Sequence, residues 1–283
     1  HMDVCNYAKI TVIFLRFLPD ASTLLITLKA FTECALSKGN FMLWLDLGNT
    51  RLKYWLTDDI GQIVSHDAKQ HLQAPAELLM GLTDRFERYA PDFIGISSVL
   101  GDDLNVKVSE TLSRLNIPFE FVHVDANYPL MKSAYNDEQL GCDRWLQMLG
   151  AVDRTKRQCV IGCGTAVTID LIDHAEHLGG YIFPSIYLQR ESLFSGTKQI
   201  TISNGTFDNV SQGLTTQDAV HRGILLSIVG AINEISTRHP NFEVIMTGGD
   251  AAIIAQHVNR PVRLRDDLLL NGLARYFDHS KQA

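Results

Sequence analysis

Two hairpin-like segments with glycine turns constrain this chain more than any other feature. The first is LWLDLGNTRLKYWL, Leu43–Leu56, in which an apolar strand reaches Asp46 and a Gly-Asn-Thr turn follows. An apolar run, a Gly-Asn turn and a second run indicate a β-hairpin. The second segment, CVIGCGTAVTIDLID, repeats this plan around Gly164. Two such hairpins that face each other would hold the phosphates of a nucleotide from both sides.

The residues around the first turn are those that a bound polyphosphate requires. Gly48 lets the backbone approach a ligand closely, and Asn49 and Thr50 place small polar groups beside backbone N–H donors. Asp46 lies where the strand ends, in position for a magnesium ion or its bound water. Lys53 follows on the return strand with a mobile positive charge. Similar strings also occur in ordinary hairpins, so this turn alone does not decide the function.

A third glycine turn, MTGGDA, follows the strand-like run EVIM and opens a helix-like stretch. Gly248 and Gly249 have no side chain beyond a hydrogen atom. This turn therefore leaves room for the flat ring of a nucleotide base and for its ribose.

The remaining segments alternate between strand and helix. One helix is predicted to begin at Pro75, with its apolar face formed by Leu78, Leu82 and Phe86. Strands are predicted from Phe93 and Phe119, and a helix capped by Asp102 lies between them. The later part is predicted to contain a polar loop at 196–213, helices at 215–238, 250–258 and 267–277, and strands at 243–246 and near 262.

Composition and charge exclude several classes of function. The chain has 283 residues, 46% of them hydrophobic, which is enough for one large or two modest cores. A net charge of −7 argues against nucleic acid as the main partner, because phosphate backbones bind basic surfaces. The cysteines lack paired spacing, which predicts free thiols and a cytoplasmic protein. They are Cys5, Cys34, Cys142, Cys159 and Cys163.

The start of the chain is predicted to lie outside the folded core. His1-Met2 has the sequence of a cloning remnant, and the apolar segment that follows is interrupted by charges too often to span a membrane. We therefore predict a remnant and extension at residues 1–41, an N-terminal half at 42–157 and a C-terminal half at 158–283.

Four motifs in order give this chain a family resemblance. They are DLGNTRLK from Asp46, GCDR from Gly141, GCGTAVTID from Gly162 and GGYIFPS from Gly179. Together they resemble the type III pantothenate kinases, within the superfamily of actin-like ATPases and sugar kinases. The resemblance implies an α/β fold of two actin-like (ribonuclease H-like) halves, each a mixed sheet flanked by helices. It also implies ATP-dependent phosphorylation of pantothenate to 4'-phosphopantothenate, the first step of coenzyme A biosynthesis.

The resemblance also implies roles for particular residues. Asp143 is expected to be the catalytic base, although an aspartate at a helix start is, from local sequence alone, more often a cap. Asp46 is expected to organise Mg²⁺ indirectly. The expected ATP-binding residues are Asp46, Leu47, Gly48, Asn49, Thr50, Arg51, Leu52, Lys53, Gly164, Thr165, Gly248 and Gly249.

The acceptor substrate is expected to bind at the stretch SAYNDEQLGCDRWLQMLGA, Ser133–Ala151. The resemblance assigns its contacts to Tyr135, Gly141, Cys142, Asp143, Arg144 and Thr216. Arg144 would hold the carboxylate of pantothenate through a charge-assisted pair. In the family the threonine at the position of Thr216 reaches the pocket of the other subunit, so a homodimer is expected, with neither nucleic acid nor membrane as a partner.

Two positions depart from the family pattern. Gly162 stands where the family has an aspartate that helps hold a monovalent cation, and Ser185 replaces a glycine. Activation by K⁺ or NH₄⁺ is therefore in doubt, unless a nearby acid such as Asp170 takes over. Another small-molecule kinase of the superfamily and a non-catalytic regulatory relative are the alternative functions. The presence of Asp46, Lys53, Asp143 and Arg144 favours an enzyme.

Overall fold

The computed structural model describes residues 40–71, 74–196 and 207–280. The predictions about the N-terminal remnant and most of the extension fall on residues outside these ranges, as does most of the predicted polar loop. Within the described part of the chain, no helix combines the length and apolar character needed to cross a bilayer.

Strands and helices alternate along the chain, as the pattern predicts. The strands are β1 (Met42–Leu47), β2 (Arg51–Thr57), β3 (Ile63–Gln70), β4 (Phe93–Ser98), β5 (Phe119–Phe121), β6 (Lys132–Ser133), β7 (Arg157–Cys163), β8 (Ala166–Asp173), β9 (Glu176–Pro184), β10 (Glu243–Thr247) and β11 (Val262–Leu264). The helices are α1 (Pro75–Met80), α2 (Thr83–Tyr89), α3 (Asp102–Ser113), α4 (Cys142–Ala151), α5 (Ile186–Gly196), α6 (Thr216–Arg238), α7 (Ala251–Ala255) and α8 (Leu268–Ser280).

Two sheets share one strand order. The first runs β3-β2-β1-β4-β5 and the second β11-β10-β7-β8-β9-β6. Without β6, and read from its other edge, the second repeats the first. In each sheet an antiparallel hairpin opens the order and parallel strands follow, β4 beside β1 and β10 beside β7. The predicted α/β class, with two mixed sheets of the same plan, is confirmed.

Alternation along β1 divides its side chains between two cores. Leu43, Leu45 and Leu47 pack with residues of α1, α2 and α3 on one face. Trp44 points to the other face and joins a cluster built from α4 and α8. This pattern of period two is what a strand buried on both faces requires.

Helices α4 and α8 lie between the two sheets. Their cluster includes Trp44 of the first sheet and Val160 and Ile245 of the second. Gly150 and Gly272 let the helices approach closely, because a Cβ at these positions would lie 2.0 Å from the Leu268 carbonyl and 2.1 Å from the Leu146 carbonyl. Helix α4 is therefore packed against residues of both sheets.

Several local predictions were wrong in detail. The helix predicted from Pro75 is two helices, and Leu82 lies at the break between them. Gly101, with φ +82°, precedes α3, so Asp102 is the first helical residue and not the cap. Helix α5 was not predicted, and α7 ends at Ala255, before the predicted Val258.

Candidate active site

The first phosphate turn is braced from two sides. The Gly48 amide donates to the Arg51 carbonyl at 3.0 Å and closes the turn between β1 and β2. His71, which is buried, donates from Nε2 to the Gly48 carbonyl at 2.7 Å. Asn49 and Thr50 are exposed at the tip, where a ligand can reach them.

Asp46 is a buried carboxylate at the carboxyl end of β1. It faces Lys53 across the hairpin, with Lys53 Nζ 3.4 Å from Oδ2, and Ser97 of β4 donates to Oδ1 at 3.3 Å. Burial raises the pKa of Asp46, the positive charge of Lys53 opposes that shift, and the negative charge of Asp143 adds to it. The structure therefore brings Asp46, Lys53 and Asp143 together.

Asp143 lies in the first turn of α4. Its Oδ1 accepts a hydrogen bond from the Arg144 amide at 2.8 Å. Gly141 leaves room for this carboxylate, since a Cβ there would lie 2.9 Å from Oδ1. The neighbouring Cys142 thiol is buried, and burial raises its pKa to about 12. Cys142 is thus a neutral packing group, whereas the side chain of Asp143 is half-buried.

The second and third glycine turns are neighbours. Gly164 and Thr165 are exposed beyond β7, and the Gly164 amide donates to the Ala166 carbonyl at 3.0 Å. Gly248, with φ +103°, packs so closely on the end of β7 that a Cβ would lie 2.2 Å from the Cys163 carbonyl. Only glycine tolerates both the close approach and the positive φ.

An electrostatic contact connects the first and third turns. Burial raises the pKa of Asp250, and the positive charge of Arg51 opposes that shift. Arg51 belongs to the first hairpin and Asp250 follows Gly248-Gly249. Arg51 of the first hairpin and Asp250 beside the third turn are therefore close enough to interact electrostatically.

Arg144 is buried in a network that the sequence did not reveal. Its Nε donates to Asp170 Oδ2 at 3.0 Å and its Nη2 to Oδ1 at 2.5 Å. The same oxygen, Asp170 Oδ1, also accepts from His177 Nε2 at 3.0 Å, and His177 Nδ1 lies 2.8 Å from Ser133 Oγ. Arg144 is therefore oriented by a bidentate pair, and it is not the surface salt bridge that local sequence would suggest.

Tyr135 covers this network. Its ring stacks on His177 with centroids 5.2 Å apart, and the Arg144 guanidinium carbon lies 5.3 Å from the ring centroid. Thr216 lies elsewhere, exposed in the first turn of α6, and the helix cap is its neighbour Thr215, whose side chain accepts from the Asp218 amide at 3.1 Å. The structure thus brings Tyr135 and Arg144 together. Thr216, in contrast, is exposed to solvent in the single chain.

The side chains around Asp46 suit magnesium held jointly with phosphates. Among the described residues, no group of three or more His, Cys, Asp and Glu side chains gathers into a metal cluster. Magnesium in kinases is bound by one or two carboxylates together with substrate phosphates, so Asp46 beside Asp143 fits this chemistry.

Sequence reasoning missed the residues that support the site. Ser97, His71 and His177 each hold a site residue by one hydrogen bond. An acidic residue inside the apolar run TIDLI was the available signal for Asp170, because a buried carboxylate requires a partner. Nothing in the local sequence signalled that Ser97 or His71 would do more than pack.

Comparison with known proteins shows which family this chain is similar to. The chain matches the family model of type III pantothenate kinase over residues 42–238. It is 99% identical to the type III pantothenate kinase of Psychrobacter cryohalolentis over 242 residues, which are 86% of this chain and 100% of that protein. It is 47% identical to the type III pantothenate kinase of Acinetobacter baumannii, covering 84% of this chain and 97% of that one.

A solved structure shares the fold at low identity. A proposed Baf family transcriptional activator from Campylobacter jejuni superposes with a TM-score of 0.57 and 18% identity, covering 85% of this chain and 100% of that chain. This likeness concerns the fold alone, and it agrees with the two sheets of identical strand order.

Proposed function

The chain belongs to the type III pantothenate kinase family, and we propose that it phosphorylates the primary hydroxyl of pantothenate with ATP. The product is 4'-phosphopantothenate, the first intermediate toward coenzyme A. The observation that supports this most strongly is the proximity of Asp143 of α4 to Asp46 of β1: burial raises the pKa of Asp46 most, Lys53 opposes that shift, and the negative charge of Asp143 adds to it. A candidate base thus lies beside a phosphate turn.

Asp143 would accept the proton of the attacking hydroxyl. Phosphoryl transfer passes through a loose transition state, so the base has to be well oriented more than strongly basic. The hydrogen bond from the Arg144 amide, 2.8 Å long, holds the carboxylate in one orientation at the start of α4. Gly141 has no side chain and therefore leaves room for Asp143 Oδ1.

The first and second turns would bind the phosphates through backbone N–H groups and the Thr50 and Thr165 hydroxyls. Lys53 would offset negative charge as it moves to the leaving group. Mg²⁺, held beside Asp46, would neutralise the β- and γ-phosphate oxygens. Gly248 and Gly249 would border the adenosine.

Arg144 and Tyr135 would recognise the carboxylate end of pantothenate. Because Asp170 accepts from Nε and from Nη2, the guanidinium is fixed in orientation, and the donors that Asp170 does not use would meet the substrate carboxylate. Arg144 would therefore select the substrate by geometry, since the charge of Asp170 balances part of its own.

The active unit would be a homodimer. Exposed apolar side chains cover β9, α5 and the start of α6, and they include Tyr181, Ile182, Tyr187, Phe194 and Leu214. We infer that part of this exposed apolar area forms the dimer interface, because large exposed apolar areas mark protein interfaces. Thr216 lies beside Leu214, so a second subunit bound here could receive it in its pocket. A cytoplasmic location suits the free Cys142, Cys159 and Cys163 thiols.

A coupled assay for ADP release tests the activity. Pantothenate is compared with sugars and other hydroxy acids at equal concentration, with Mg²⁺ and ATP present. We expect ADP release with pantothenate alone. Release with a sugar and not with pantothenate would favour another kinase of the superfamily, and no release with any acceptor would favour a regulatory relative.

A further inference from the structure

Gly162, at the end of β7, has its side-chain space already filled. A Cβ built there would lie 2.4 Å from Gln147 Oε1 and 2.8 Å from Thr168 Oγ1. Real Cβ atoms do not approach other atoms so closely. Any residue other than glycine at this position would therefore require Gln147 or Thr168 to move. The aspartate that the family pattern has at this position would collide with Gln147.

Gln147 lies between the candidate base and the second phosphate turn. It follows Asp143 by four residues in α4, so both side chains project from the same face of the helix. Thr168 pairs with Gly162 across β7 and β8, and Gly164 follows two residues later. The Gln147 amide and the Thr168 hydroxyl thus put neutral polar groups where a carboxylate would stand.

The nearest acid along β8 is already engaged. Asp170 is buried and forms a bidentate pair with Arg144 and a third contact with His177. Asp46 is likewise engaged by Lys53 and Ser97. The residues present therefore do not fit the monovalent cation in the way that the family resemblance implies, because position 162 carries no carboxylate and both Asp170 and Asp46 are already paired.

We propose that Gln147 replaces the cation-holding carboxylate, so that the second phosphate turn binds the nucleotide without a monovalent cation. A carboxylate beside a polyphosphate repels it, and a cation must offset that repulsion. A neutral amide creates no such repulsion. This inference rests on the proposed kinase function, and it makes Gln147 a positioning residue whose lack of charge is the essential property.

Nucleotide binding tests the proposal without turnover. The dissociation constant of a non-hydrolysable ATP analogue with Mg²⁺ is measured by calorimetry in potassium chloride and in tetramethylammonium chloride at equal ionic strength. For the native protein we expect the two constants to agree within about twofold, because no charged group at the turn awaits a cation. Tightening by about tenfold or more in potassium would overturn the proposal.

Two variants at the same position separate charge from packing. Gln147→Glu restores a carboxylate with nearly the same shape, and we expect it to weaken binding about tenfold in tetramethylammonium and to recover in potassium. Gln147→Met keeps the length without charge and should show no difference between the salts. A Gln147→Glu variant without any salt preference would contradict the proposal.

A second route covers the case in which Gln147→Glu does not fold. The double variant Gly162→Asp with Gln147→Ser removes the closer of the two contacts, that with Gln147, and supplies the carboxylate from β7. It should bind the analogue more tightly in potassium than in tetramethylammonium, and equal binding would count against the proposal. The failure of the kinase assay with every acceptor would reject the proposed function, but it would leave these binding constants interpretable.

Discussion

Asp46 shows how one residue joins stability to function. The carboxyl is buried, and burial raises its pKa, although Lys53 and Ser97 partly compensate. A buried charge with incomplete compensation destabilises a fold, and such charges are retained where chemistry needs them. For Asp46 the proposed chemistry is the organisation of a metal–phosphate complex.

Asp46→Asn is expected to lose activity while keeping its stability. A raised pKa in the folded state means that Asp46 contributes stability below its unfolded pKa of about 3.9 and loses that contribution as the pH rises. At pH 7 the neutral amide should therefore unfold at the same or a higher denaturant concentration than the native protein. Turnover should fall about a hundredfold or more, because metal and phosphate charge is no longer organised.

Denaturant titrations at pH 7 and pH 4, together with steady-state rates, check both parts. The stability advantage of Asp46→Asn should shrink at the lower pH, where the native carboxyl is increasingly protonated. A variant that is much less stable than the native protein at pH 7 would show that the carboxylate is structural.

The buried thiols should be unreactive. Burial raises the pKa of Cys142, Cys159 and Cys163 to about 12 each, so the reactive thiolate is scarce at pH 8. In a variant with Cys5→Ser and Cys34→Ser, a thiol reagent should label the folded variant negligibly. After unfolding, the reagent should modify all three remaining thiols. Rapid labelling of the folded protein would contradict the burial of these residues.

At the scale of single residues, sequence predicted the positions of the hairpin residues but not the contacts that support them. Asp46, Lys53 and Gly48 follow from local spacing, because the hairpin that carries them is itself local. The contact between Asp170 and Arg144 crosses 26 positions and depends on tertiary packing. No periodicity in either segment contains that information.

At the scale of elements, the packing of α4 against α8 determines the position of Asp143, the proposed catalytic base. The two helices approach through Gly150 and Gly272, whose missing side chains admit the Leu268 and Leu146 carbonyls. Any residue that separated these helices would also move Asp143, which lies at the other end of α4.

Gly150→Ala should therefore destabilise the protein. The new Cβ would lie 2.0 Å from a carbonyl oxygen of the Leu268 backbone, and such overpacking costs about 1–3 kcal/mol. Gly223→Ala in α6 is the matched control, because nothing lies within 4 Å of its Cβ position. That change should stabilise the protein by about 0.5–1 kcal/mol through helix propensity.

Urea unfolding of the two variants measures the difference directly. If Gly150→Ala were as stable as Gly223→Ala, the close approach of α4 and α8 would be wrong.

The elements that sequence missed have a common physical cause. Helix α5 was not predicted because its Tyr187, Leu193 and Phe194 remain exposed in the single chain, so its apolar residues do not follow a one-sided pattern. Strand β6 has two residues, too few for any periodicity. The hairpins were predicted because glycine turns and apolar alternation occur together in them.

At the scale of the whole molecule, the proposed activity needs surfaces beyond one chain. The exposed apolar side chains Tyr181, Ile182, Tyr187, Phe194 and Leu214 lie outside the clusters that stabilise the two sheets. We expect light scattering to report twice the chain mass of 31.6 kDa. A fully active monomer would refute the shared pocket.

A pair of charged substitutions tests which surface forms the dimer. Ile182→Glu places a charge on the exposed apolar surface of β9 and should yield monomers with reduced turnover. Ile60→Glu changes an equally exposed isoleucine in the turn between β2 and β3, and it should remain dimeric. Dissociation by Ile60→Glu alone would assign the interface to the first sheet.

The substitution Asp143→Asn tests most directly whether Asp143 is the catalytic base. The variant keeps the size of the side chain and removes the proton acceptor, so ADP release with saturating pantothenate should fall about a hundredfold or more. Its affinity for a non-hydrolysable ATP analogue should stay close to that of the native protein, because the three glycine turns are unchanged. Near-native turnover by a correctly folded Asp143→Asn protein would contradict the assignment of Asp143 as the base.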